Sequence, residues 1–351
     1  MTSGPIVFAS ANASIRALVS LLLSTEQVES LLTSPNLDEA LQRLLATAYG
    51  PRLAGTIKAK PSLITIERTL ESELVKTFEQ VALILSGTPR VLVVQMARSF
   101  EISNVKTILR GLEAKAHPEE IEARLLPSAR FQRLPIKDLL NAGDVREAIE
   151  AILRTGEWRS LWAASARYKK EGSLFPIELA LDVEYYRQVW KALSDLDERD
   201  RVIAKRMLGM VYDITNVDWV LRYRLTYNVP PEELLNYTIP MGFRLDDHII
   251  RKMSVASDVG SIVDVLPNPY QDSLRPIVNQ ASPIHKANVA LNRLVSRSAR
   301  NQLAGYPFTI GTPISFLLLR QAEVHDLKSI LEGLRHNYTP DAIRTHLWGY
   351  V

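Results

Sequence analysis

No cysteine occurs anywhere in the chain. That removes disulfides, thiolate nucleophiles and cysteine-ligated zinc, and it fits a reducing compartment. Glycine is also scarce, with 15 in 351 residues. This is below average usage, and no Gly/Ser-rich or low-complexity stretch is long enough to act as a flexible tether. Long apolar runs are missing too: "ISFLLL" at 314–319 falls far short of the roughly 20 residues a spanning helix needs. The opening stretch "MTSGPIVFASANASIRALVSLLLS" has a hydrophobic run but no basic start, and Arg16 interrupts it, so it reads as an ordinary helix and not a signal peptide. A soluble chain is expected, and the sequons at Asn12, Asn236 and Asn337 then carry no weight. Neither sign of charge dominates: 42 basic against 39 acidic residues leave +3, too little to imply nucleic acid or an anionic membrane as a partner.

Catalytic signatures are absent as well. There is no phosphate-binding Gly-rich loop, no dinucleotide fingerprint, no H-E-x-x-H and no G-x-S-x-G. The six histidines never pair at i,i+4 spacing. Strand signals are nearly missing, with no long alternation and no Asn-Gly hairpin. An all-α fold follows, and the length suggests two or three domains.

What the chain does contain is a repeat. "EISNVKTILRG" (101–111), "DITNVDWVLR" (213–222) and "EVHDLKSILEG" (323–333) are versions of one motif, spaced 213 − 101 = 112 and 323 − 213 = 110 positions apart. With the first residue as position zero, apolar residues occupy positions 1, 4, 7 and 8 in every copy. They are Ile102, Val105, Ile108 and Leu109; Ile214, Val217, Val220 and Leu221; and Val324, Leu327, Ile330 and Leu331. That is one stripe of a 3.6-residue helix. Pro89 and Pro313 lie where long helices can begin, and Gly111 and Gly333 are expected as C-terminal caps.

Two further marks keep the same register. "SPNLDEALQRLL" (34–45), "AGDVREAIEAIL" (142–153) and "ASDVGSIVDVL" (256–266) align without gaps. Asn36, Asp144 and Asp258 are expected N-caps, with Glu39 and Glu147 completing capping boxes in two copies. "HPEEI", "PPEEL" and "TPDAI" follow the motifs, their prolines 17, 18 and 17 residues past the start (118 − 101, 231 − 213, 340 − 323). A period near 110 residues exceeds solenoid repeats and matches small domains. Three helical domains are expected, at 1–115, 116–228 and 229–351.

Position zero is always acidic (Glu101, Asp213, Glu323) and lies beside the apolar stripe, with Arg98 and Arg320 one turn earlier in two copies. A carboxylate repeated three times reads as a packing device and not as a catalyst. Position three is Asn104, Asn216 and Asp326. It has two readings: a hydrogen bond to a neighbouring helix or loop, or the lining of a shared central cavity.

The pattern acidic-x-x-Asn-hydrophobic-x-x-hydrophobic-Leu-Arg, repeated in an all-helical chain, resembles the C subunit of archaeal-type/V-type ATP synthases, equivalent to the d subunit of eukaryotic V-ATPases. "YPFTIGTPISFLLLRQAEVHDLKSILEGLRHN" (306–337) and "NVPPEELLNYTIPMGF" (228–243) are the most similar stretches, and the likeness runs from about residue 5 to the end. The resemblance implies three similar domains around a pseudo-threefold axis, forming a funnel-shaped adaptor in the rotor. Its base would rest on the membrane ring of proteolipid subunits and its cavity would receive the central shaft. It implies one copy per complex, a cytoplasmic and peripheral location, no bilayer insertion, no nucleic acid, no metal or cofactor and no catalytic residues. The third copy departs from the pattern with Asp326 and Glu332, the second with Asp218 and Trp219.

Other classes leave weaker marks. "DDH" at 246–248 is a slight metal suggestion that reads better as an exposed polar patch. Arg293, Arg297 and Arg300 share a helix face, which suits a solvated stripe or an acidic partner; without interleaved aromatics the nucleic-acid reading is weak. "DLDERD" at 195–200 reads as a solvated helix end or loop. A generic helical scaffold would carry the same repeats.

Overall fold

The computed structural model describes residues 5–58, 62–127, 130–158 and 160–349. Among them there are nineteen α-helices and two short 3-10 turns, and no strand. No helix among the described residues is long and apolar enough to cross a membrane. The N-terminal stretch forms the helix Pro5–Val19.

The three motifs lie in the C-terminal parts of the long helices Gly87–Glu113, Glu198–Leu225 and Gly311–Arg335. All twelve stripe residues are buried, Val105, Ile108, Leu109, Val217, Val220 and Leu221 completely. Burying a Val, Leu or Ile side chain contributes roughly 1.5–3 kcal/mol, so each stripe outweighs the weak intrinsic helix preference of its β-branched members. Pro89 and Pro313 occupy the third helical position, where no intrahelical N–H is lost. The middle helix starts differently, with Asp197 accepting the Asp200 N–H at 3.0 Å.

Two or three residues past each motif helix stands a non-glycine residue in the left-handed region: Lys115 (φ 54°), Asn228 (φ 52°) and Asn337 (φ 56°). The next residue's N–H then turns back onto the helix, from Ala116 to the Gly111 carbonyl, Val229 to Tyr223 and Tyr338 to Gly333. Gly111 and Gly333 are therefore not the caps expected of them; both lie inside their helices. A Cβ on either would stand 2.5 Å from an isoleucine, Ile121 or Ile343, of the short helix that follows. The middle copy carries Tyr223 there, and its short helix starts one residue later, at Pro231.

Asn36, Asp144 and Asp258 accept the N–H groups of Glu39, Glu147 and Ser261 at 2.9, 2.9 and 2.8 Å. The reciprocal half of the expected capping boxes is not made. Glu39 pairs with Arg43 at 3.3 Å, and Glu147 reaches one residue too far, to the Gly143 N–H at 2.7 Å. A complete box forms instead at Ser24 and Gln27.

The helices gather into two compact units, one running from Phe78 to Asp195, the other combining the chain up to Thr77 with the chain from Leu196 onward. In the first, the stripe of Gly87–Glu113 packs with Ile121, Leu134, Ile136, Leu139, Ile149 and Trp158 into one core. In the second, Glu198–Leu225 and Gly311–Arg335 both pack against Pro283–Ala304, and Leu37–Leu45 packs on Gly311–Arg335.

Candidate functional site: three buried carboxylate clamps

Position zero is buried in every copy. Glu101 accepts the N–H groups of Arg133 and Leu134 at 2.6 and 2.5 Å through one oxygen and the Arg98 guanidinium at 2.9 Å through the other. Arg98, itself buried, also donates to Gln188 at 2.7 Å, pairs with Glu157 at 3.1 Å and lies over the Trp158 ring. Asp213 has no arginine. It accepts the N–H groups of Phe243, Arg244 and Leu245 at 3.1, 2.7 and 3.3 Å and the Tyr270 hydroxyl at 2.7 Å. Glu323 accepts the Leu23 N–H at 2.5 Å, the Tyr49 hydroxyl at 2.7 Å and Arg320 at 2.5 Å, with Arg320 stacked over Tyr49.

The third clamp closes on a different part of the chain. The first two carboxylates hold backbone 30–33 residues downstream, whereas Glu323 reaches back 300 residues to Leu23. Tyr49, Trp158 and Tyr270 play one part: each is fully buried and follows the capped helix of its segment. The tyrosines donate to the acid, while Trp158 supports the arginine that does so. Burial pushes the Asp213 and Glu323 carboxyls above the usual range, opposed by the hydrogen bonds they accept and, for Glu323, by the Arg320 charge.

Position three explains its own exception. Asn104 exchanges both hydrogen bonds of a peptide with Leu126, donating to its carbonyl at 3.1 Å and accepting its N–H at 2.8 Å. Asn216 does the same with Ile239, at 2.9 and 2.8 Å. Asp326 instead meets two donors, the N–H groups of Trp348 and Gly349, at 2.6 and 2.7 Å. A carboxylate only accepts, whereas an amide needs one of each, so the third segment's backbone selects Asp. These side chains bond the backbone of the segment that follows their own motif.

Position five, noticeable in sequence only as the departure at Asp218, carries an interhelical bond in each copy. Lys106 donates to Asp182 at 2.6 Å, Asp218 accepts from Asn288 at 3.0 Å and Lys328 donates to Glu71 at 2.5 Å. Its signal was a polar residue of changing sign at one register position, which a hydrophobic-period search passes over.

The remaining polar segments are also structural. Asp246 of "DDH" accepts the Ile249 N–H at 2.9 Å as a helix cap. Asp200 of "DLDERD" is buried and accepts the Ile310 N–H at 2.9 Å, so that end is not simply solvated. The arginine stripe holds the chain's last described residues, with Arg293 donating to the Leu347 and Arg344 carbonyls at 2.8 and 2.7 Å and Arg300 to that of Gly349. Among the described residues no group of three or more His, Asp or Glu could hold a metal ion.

Chemically, the clamps hold. Each carboxylate accepts three or four hydrogen bonds, and leaving a buried donor unmatched costs about 1–3 kcal/mol. The fold and its clamps thus define an all-helical protein whose repeated polar residues fix backbone in place. The chain belongs to the ATP synthase (C/AC39) subunit family, whose model matches residues 11–346. Its relatives include the C subunits of three archaeal A-type ATP synthases. That of Methanocaldococcus jannaschii is 23% identical over 97% of this chain and 86% of its own length. That of Methanothermobacter thermautotrophicus is 26% identical over 96% and 86%. That of Pyrococcus horikoshii is 25% identical over 95% and 88%.

Proposed function

We propose that this protein is a non-catalytic rotor subunit of an A/V-type ATP synthase. It joins the central shaft to the membrane proteolipid ring and passes torque between ATP chemistry and ion translocation. The observation that carries this reading is the family match, which spans almost the whole chain. The clamps support it physically. A piece that carries torque must not yield at its loops, and here each motif helix grips the loop after it at two or more points.

Three repeated domains at 1–115, 116–228 and 229–351, in a funnel of one copy per complex, belong to the same reading. So does a cytoplasmic, peripheral location: a helical surface with unsatisfied polar groups does not enter lipid, so attachment runs through the ring's exposed loops. Contacts of that kind are partly electrostatic, and attachment should weaken with salt.

The test is a complex purified without this protein. It should retain ATP hydrolysis while ATP-driven ion transport into vesicles is lost, and adding the protein back should restore transport. Transport at normal coupling without it would overturn the proposal.

A further inference from the structure

Two histidines meet outside the carboxylate clamps. His285 Nε2 lies 2.8 Å from His346 Nδ1, with the ring centroids 4.7 Å apart. His285 sits in the first turn of Pro283–Ala304, and His346 follows the short helix Pro340–Arg344. Their contact pins residues 345–349 where other groups also hold them. Arg293 and Arg300 donate to the Leu347 and Gly349 carbonyls, and Asp326 accepts the Trp348 and Gly349 N–H groups. The His325 ring stacks on Trp348, centroids 3.6 Å apart. Gly349 in turn walls a cavity of about 100 Å3 that Arg300, Glu323 and Asp326 share.

Neutral or with one proton, the His285–His346 pair holds, because one ring donates its N–H to the free nitrogen of the other. A second proton leaves two N–H groups aimed at each other, and the contact turns repulsive. The surrounding charges do not relieve it. Arg293 and Arg344 are cationic, and Asp341 and Glu29 are spent on Arg344. Lys286 donates to Gln280 at 3.0 Å. His285 also lines a cleft with Arg222, Arg224 and Asp258, and that acid is engaged by Ser257 and Ser261. A charge on His325 repels His346 but grips Trp348 and Asp326. Burial holds the His346 ring below the usual 6.5, and His285 and His325 add to the effect. Its contribution to stability is therefore present above 6.5 and lost as pH falls through the lower folded value.

We propose that the His285–His346 contact is an acid-sensitive latch: when both rings carry protons, residues 345–349 leave the helices Pro283–Ala304 and Gly311–Arg335. Release uncovers the cavity beside the Glu323 clamp and strips Arg293 and Arg300 of their carbonyl acceptors.

Hydrogen exchange of the full chain tests this, read by mass spectrometry on the peptide containing Trp348 and Gly349 and corrected for the intrinsic rate. Between about pH 7.5 and about pH 5, a window around the ordinary histidine value, protection there should fall about three- to tenfold. His285→Gln and His346→Gln, which keep a polar side chain without the charge, should show no such fall, whether the segment stays held or is released at every pH. His325→Gln should keep it. Wild-type protection that stays level or rises on acidification overturns the latch. So does a fall of equal size in His285→Gln, which assigns it to another group such as Glu323, or its loss in His325→Gln. A fall shared by peptides of Gly87–Glu113 is general loosening and overturns it as well.

Discussion

The Tyr270 hydroxyl donates to the Asp213 carboxylate at 2.7 Å, joining residues 57 positions apart at the centre of the middle clamp. No arginine assists, so Asp213 holds its three backbone N–H groups and this hydroxyl alone. Asp213→Ala leaves all four donors without a partner in a site closed to water. Each buried donor left unmatched costs about 1–3 kcal/mol, so the expected loss exceeds that from any one of them. Tyr270→Phe removes one donor and should cost about 1–2 kcal/mol. Urea titrations of both variants check the order; a Tyr270→Phe loss as large as that of Asp213→Ala would place the weight on ring packing instead.

Asp326 offers a sharper contrast, because the backbone it meets presents two N–H groups where that facing Asn104 and Asn216 presents an N–H and a carbonyl. Asp326→Asn must turn an amide N–H toward a backbone N–H, and a loss of about 1–3 kcal/mol is expected. Asn104→Asp should be costly in the mirrored sense, its carboxylate facing the Leu126 carbonyl. Chemical denaturation of the two single variants measures this. If Asp326→Asn matches the wild type, the donor-counting account of the third copy fails.

How much of this could be read from sequence follows from the range of each interaction. The stripe of Ile102, Val105, Ile108 and Leu109 is legible because helical burial repeats within a turn. The caps are legible because Asn36, Asp144 and Asp258 meet an N–H three residues on. Glu323 closing on Leu23 and Tyr49 is not legible, since nothing local in either segment names the other. Gly111 and Gly333 mislead for the same reason. Glycine near a helix end suits a cap, and only the packed positions of Ile121 and Ile343 show that close approach is what needs it.

Close approach can be tested at Gly242. A Cβ there would lie 2.1 Å from Asp213 Oδ1, so Gly242→Ala displaces either the carboxylate or the loop it holds. The expected cost is about 1–3 kcal/mol, as for overpacking elsewhere. Gly55, in the helix Gly50–Lys58, is the matching control: a Cβ there meets nothing within 4 Å. Gly55→Ala should raise stability by about 0.5–1 kcal/mol through helix propensity. Melting curves of the pair should therefore move in opposite directions.

Buried and capping carboxylates should respond to pH with opposite sign. Asp213 and Glu323 hold their protons more tightly folded than unfolded, because burial disfavours the charged form. Between the unfolded values, 3.8 for Asp and 4.5 for Glu, and the raised folded values, the native state binds more protons, so these groups remove stability as pH rises through that window. Asp258 is lowered, chiefly by the Ser261 N–H and hydroxyl, and its contribution is present above 3.8 and lost as pH falls through its depressed folded value. Melting temperature followed from pH 3 to pH 7 should thus contain both slopes. Asp213→Asn should flatten the fall above the ordinary Asp range, and Asp258→Asn the rise below it. An Asp213→Asn profile parallel to the wild type across the upper window would mean that the four donors outweigh burial, leaving Asp213 charged throughout.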